Sequence, residues 1–89
     1  MENINDTAAA EPAAIARRLA KRMAQLEGAV RRFEPGVEYS ETEVNIILMR
    51  LFEDHVFARR LLIEWGFLDR VADGSKYWLA QKGIAIAQS

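Results

Sequence analysis

Cysteine is absent from this chain of 89 residues, which holds only one histidine, two prolines and five glycines. Each scarcity removes a class of explanation. Without cysteine there are no disulfide staples, no thiolate nucleophile and no cysteine zinc site, and the chain is at home in a reducing cytoplasm. The one histidine, His55, lies next to Asp54 with no second histidine to share a metal or a proton relay. No nucleophile elbow or Gly-rich phosphate loop is present. The paired carboxylates Glu41 with Glu43, and Glu53 with Asp54, fall at helix starts, where they favour the macrodipole without implying catalysis. No enzyme activity, metal or small-molecule cofactor is therefore expected. There is also no basic segment followed by an apolar run at the start, and no stretch of the roughly 20 apolar residues that cross a bilayer. A cytoplasmic protein without a membrane partner is the resulting expectation.

What is present is mostly aliphatic. Hydrophobic residues make up 51% of the chain, but 14 of them are alanine, each of which buries little area. The larger apolar residues fall mostly between Ile15 and Leu79. A single small domain of modest stability follows, and a second copy would add to it. The formal net charge of -1 is far from the strongly basic balance of a non-specific nucleic-acid binder. It conceals alternating blocks: residues 1–12, 17–32, 33–54 and 55–89 carry -3, +5, -5 and +2. Two readings stay open, namely mutual neutralisation of neighbouring helices, and head-to-tail self-association or an anionic partner.

Hydrophobic spacing divides the chain into elements. Residues 1–11 lack periodicity and read as a flexible leader, and Pro12 suits a first helical turn. Ile15, Leu19, Met23, Leu26, Val30 and Phe33 then form one apolar stripe, predicting an amphipathic helix from Ala13 to Arg32 that packs on a core. Two heptads are too few to indicate a coiled coil. Glu34-Pro35-Gly36 breaks the helix, and Val37-Glu38-Tyr39 can extend. Ser40 with Glu43 is a capping box that starts a second helix at Glu41. Its two apolar lines, one through Val44 and Leu48 and one through Ile46 and Met49, predict a helix sandwiched between two others. Asp54 caps a third helix, His55 to Trp65, ended by Gly66 in a left-handed conformation. Ala58, Leu61, Leu62 and Trp65 form its inner face; Val56, Arg59, Arg60 and Ile63 face outward. Asp73-Gly74 signals a hairpin with a type I′ turn, pairing Leu68 with Leu79, Asp69 with Trp78 and Arg70 with Tyr77. The pattern from Ala80 to Ser89 assigns no element, and Ile84 and Ile86 either dock on the body or pair across a dimer. The expected domain spans residues 12–80, with 81–89 as a tail.

Three helices followed by a two-stranded hairpin make an α+β fold, mainly α, in the order of a winged helix-turn-helix. The residues Phe33-Glu34-Pro35-Gly36, Tyr39-Ser40-Glu41, Glu43-Val44-Asn45, Leu48, Asp54, Arg59-Arg60, Leu62, Gly66-Phe67-Leu68-Asp69-Arg70, Gly74 and Tyr77-Trp78 together resemble the family known as domain of unknown function 2087. The resemblance implies a winged-helix-like fold in bacterial proteins, either alone or attached to a separate helix-turn-helix regulator, and implies no particular activity. Ala58 stands where that pattern has a larger aliphatic residue, and Leu61 where it has a polar one.

A regulatory binding module is the functional expectation, with double-stranded DNA as the first candidate target. On that reading Arg59 and Arg60 reach bases or phosphates from the third helix, while Arg70 and Lys76 reach the backbone or minor groove from the wing. An arginine can instead be paired internally, for example Arg60 with Glu64 or Arg70 with Asp69. The second reading is a protein interaction or homodimerisation module, with Val56, Ile63 and a half-exposed Trp78 as candidate contacts. Asn45, beside the core of the second helix, is expected to hydrogen-bond a backbone group.

Overall fold

A computed structural model of the protein describes residues 12–89; the expected leader lies outside the described residues. These form four helices and a two-stranded antiparallel hairpin, an α+β arrangement dominated by helix. Helix α1 spans Pro12–Val30 and stops short of Arg32, because Arg32 and Phe33 already donate to the carbonyls three residues back, at 3.0 Å each. A turn follows in which Val37 donates to the Glu34 carbonyl at 3.3 Å across Pro35-Gly36. The extended piece then does more than connect: Tyr39 exchanges backbone hydrogen bonds with Tyr77 at 2.7 and 2.8 Å. Its ring meets Phe33 edge-on at 5.0 Å, which ties the end of α1 to the hairpin.

Helix α2, Glu41–Met49, carries the complete capping box of Ser40 and Glu43. Helix α3, His55–Glu64, is capped by the Asp54 carboxylate, which accepts from the Phe57 N–H at 3.0 Å. Gly66 adopts φ 81° just beyond it. The Lys82 ammonium donates to the Trp65 carbonyl at 2.9 Å, satisfying one of the acceptors that a helix end leaves unpaired.

Strands β1, Leu68–Arg70, and β2, Tyr77–Leu79, pair in the register expected from the turn position. The turn itself differs from the type I′ expected. Among the described residues no non-glycine has positive φ, so Asp73 cannot occupy the first centre of that turn; only Gly74, at φ 78°, is left-handed. Gly74 donates to the Val71 carbonyl at 3.0 Å, and Val71 to Lys76 at 3.1 Å, giving a longer loop over residues 72–75 that keeps the same strand register.

Residues past 80 extend the packed body. Helix α4, Gln81–Ala87, docks on α1 and β2, with Ile84, Ile86 and Ala87 partly buried against the core. Its closest approach is at Gly83, where a Cβ would stand 2.2 Å from the Phe67 carbonyl oxygen. Glycine is therefore required there by backbone proximity, a demand that no side-chain periodicity signals.

Leu26, Val30, Phe33, Val44, Leu48, Leu62, Phe67, Leu68, Tyr77 and Leu79 are at most 3% exposed and form one core. Two expectations of burial are corrected. Ile46 and Met49, the second apolar line of α2, are 52% and 58% exposed, because α2 packs on α3 by its first line only. Ile15 and Leu19 of α1 are 43% and 57% exposed, because the body ends before it reaches them. The molecule is accordingly long, 52 × 26 × 23 Å.

Candidate functional site

Two surfaces gather the candidate residues. The first is an open cleft of about 440 Å³ between α2, α3 and the hairpin, lined by Glu41, Arg59, Arg60, Ile63, Glu64, Arg70, Asp73, Gly74 and Tyr77. The fold thus brings together three of the four arginine and lysine residues expected to meet DNA, while Lys76 is not among the lining residues. Arg59 is held inward: it ion-pairs with Glu41 at 3.2 Å with its side chain 15% exposed, and also donates to the Asn45 side-chain oxygen. This corrects the expectation for Asn45, whose partner is a guanidinium on the neighbouring helix rather than a backbone group. The pair locks α2 to α3 and holds the guanidinium with two of its nitrogens engaged inside the fold.

Arg70 folds back on its own hairpin, donating to the carbonyls of Ala72 at 3.2 Å and Val71 at 3.4 Å, and its backbone N–H donates to the Asp69 carboxylate at 2.9 Å. Lys76 pairs with Glu38 at 3.4 Å with both side chains more than half exposed, a contact worth little in water. Arg60 is exposed and makes no ion pair among the described residues. Hydrogen bonds from the Ser75 hydroxyl and N–H hold the Asp73 carboxyl below its ordinary value of 3.8. Three cationic and three anionic side chains line one wall system, and their fields largely cancel at a distance.

The second surface is a groove of about 160 Å³ between the middle of α1 and the α2–α3 connection, lined by Arg22, Gln25, Leu26, Phe52, Glu53, Asp54, Phe57, Ala58 and Leu61. Phe57 is 46% exposed, with the Arg22 guanidinium 5.5 Å from its ring centre. Sequence reasoning missed Phe57, since it belongs to neither apolar line of α3; a large aromatic outside both faces of an amphipathic helix is the signal that could have found it. Val56 beside it is 43% exposed, whereas Ile63 and Trp78 are half-buried.

Residues 13–79 match the model of a family described as uncharacterized protein conserved in bacteria, DUF2087. The chain belongs to this family. The DUF2087 match begins in the first turn of α1 and closes on the last residue of β2, so both surfaces lie within it and α4 lies beyond. No curated protein and no solved structure gives a significant match. Among the described residues no helix is long and apolar enough to cross a membrane.

Proposed function

We propose that this DUF2087 domain is a non-catalytic protein-binding module, of the kind a regulator uses to assemble with other chains. The observation that carries the reading is the set of apolar side chains standing outside the core: Phe57 in the lining of the groove, Val56 next to it on α3, and Ile15 and Leu19 on α1 before the groove begins, each at least 43% exposed. Isolated exposed apolar residues are ordinary, but a cluster next to a concave surface is a mark of an interaction site. The cleft arginines support the reading from the other side, because Arg59 and Arg70 each already have contacts inside the fold that hold them there.

DNA is the second reading, favoured by one observation: Arg60 sits exposed on α3 at the mouth of the cleft beside the wing. In-cell photocrosslinking separates the two. A photoreactive residue at position 57 is expected to give protein adducts, and one at position 60 none. Crosslinks to nucleic acid from position 60, with salt-sensitive duplex binding abolished by Arg60→Ala, would establish the DNA reading instead.

A further inference from the structure

We infer that the occupant of the groove is the projecting half of α1 from a second copy of this chain, so that two copies exchange arms in a symmetric dimer. The inference rests on the protein-binding reading above and names its partner.

The arm is the part of α1 before Arg22. Ile15, Arg18, Leu19 and Arg22 follow one another at i, i+3, i+4 and i+7, which places them on one face. That face continues into Leu26, which is fully buried, whereas Ile15 and Leu19 are exposed and have no packing partner among the described residues. An apolar face on a helix that extends past the body is hydrated at a cost of about 25 cal/mol per Å² relative to burial.

The receiving groove starts at the base of the same arm. Arg22, Gln25 and Leu26 form one of its sides, and Phe52, Phe57, Ala58 and Leu61 supply its apolar surface. Ile15 and Leu26 are eleven residues apart, about 16 Å along the axis at 1.5 Å per residue. Arm and groove therefore lie end to end on one line of one helix. Two such helices crossing antiparallel about a two-fold axis between Leu19 and Arg22 bring each arm onto the other copy's groove, and one rotation satisfies both contacts and closes the assembly.

Rim charges give the contact an orientation. Between Pro12 and Leu26 the helix carries Arg17, Arg18, Lys21 and Arg22 and no acid. The groove presents the carboxylates Glu53 and Asp54 at its α2–α3 edge, opposite its own Arg22 on the α1 side. Arg18, next to Leu19 on the inserting face, is the arm residue placed to meet Glu53. Opposite charges at the rim of an apolar contact fix its orientation and speed its formation.

Sedimentation of the full chain from micromolar to near-millimolar concentration tests the inference. A monomer–dimer equilibrium is expected. Leu19→Asp should weaken it by at least roughly thirtyfold, as for a residue central to an interface, with the circular dichroism of the monomer retained because Leu19 is exposed. Arg18→Glu and Glu53→Lys should each weaken the dimer, and the two together should restore it. A chain that stays monomeric over the whole range, a Leu19→Asp variant that dimerises as tightly as the native chain, or a charge exchange that fails to restore association would overturn the second copy as occupant. The in-cell crosslink from position 57 tells the two claims apart. An adduct of twice the chain's mass supports both, an adduct with a different protein keeps the module and removes the self-contact, and no adduct removes both.

Discussion

The two halves of α1 share one sequence pattern and meet opposite fates. Leu26, Val30 and Phe33 are buried to 2% exposure or less, while Ile15 and Leu19, on the same stripe, are 43% and 57% exposed. Periodicity establishes that a helix is amphipathic and which face is apolar; it carries no information about what covers that face. In the second half the cover is α4 and the core of this chain. In the first half no described residue covers it, and the same holds for Ile46 and Met49 on the outer side of α2.

The comparison can be broken most severely at the buried half. Leu26→Ala should lower the unfolding free energy by about 2–5 kcal/mol, read from urea denaturation, whereas Leu19→Ala measured at dilute protein should change it by less than about 0.5 kcal/mol. Equal losses at the two positions would mean that the arm packs on its own body. The next effect concerns how the cover is attached. Gly83→Ala would press a methyl group against the Phe67 carbonyl, with no flexible side chain to yield, and should destabilise by about 1–3 kcal/mol. Gly28→Ala, in α1 where nothing lies within 4 Å, should instead stabilise by about 0.5–1 kcal/mol. Opposite signs for these two glycines, seen as thermal shifts in opposite directions, would confirm that α4 is held by close backbone approach at Gly83 while Gly28 faces open space.

A smaller effect concerns the start of α2, beside the cleft. Ser40→Ala removes the side-chain half of the capping box at α2 and should cost about 1 kcal/mol. The smallest lies in the cleft: NMR titration of the exposed Asp73 carboxyl should give a midpoint below 3.8. Because its folded value is lowered, the slight stability it adds is complete above the unfolded value and disappears as pH falls through the folded one, and Asp73→Asn should remove that acid-side dependence.

Most of the fold was readable from local chemistry. Ser40 with Glu43, Asp54, and Gly66 each act over a few residues, and the structure places them as their chemistry requires. Hairpin register followed from where Asp73-Gly74 sits, although the turn geometry did not, since Asp73 keeps ordinary backbone angles and the loop lengthens. Helix α4 was hidden because its determinant is the approach of Gly83 to the Phe67 backbone, a contact between distant segments. The site was readable only in part. Arg59, Arg60 and Arg70 do converge on one cleft, yet whether a guanidinium is free or engaged depends on tertiary neighbours such as Glu41 and Asn45, which no spacing rule pairs with it. Phe57 escaped for the same reason, its groove being assembled from two stretches of chain far apart in sequence.

Amide hydrogen exchange of α1, followed as a function of protein concentration, tests most directly the claim that the arm is a contact surface. An overhanging helical segment without packing is marginal by itself. The account predicts that amides at positions 26–30 are protected at every concentration, while those at 16–22 are poorly protected in dilute solution and gain protection as the concentration rises. Protection of 16–22 that does not change with concentration, whether strong or weak, would contradict it.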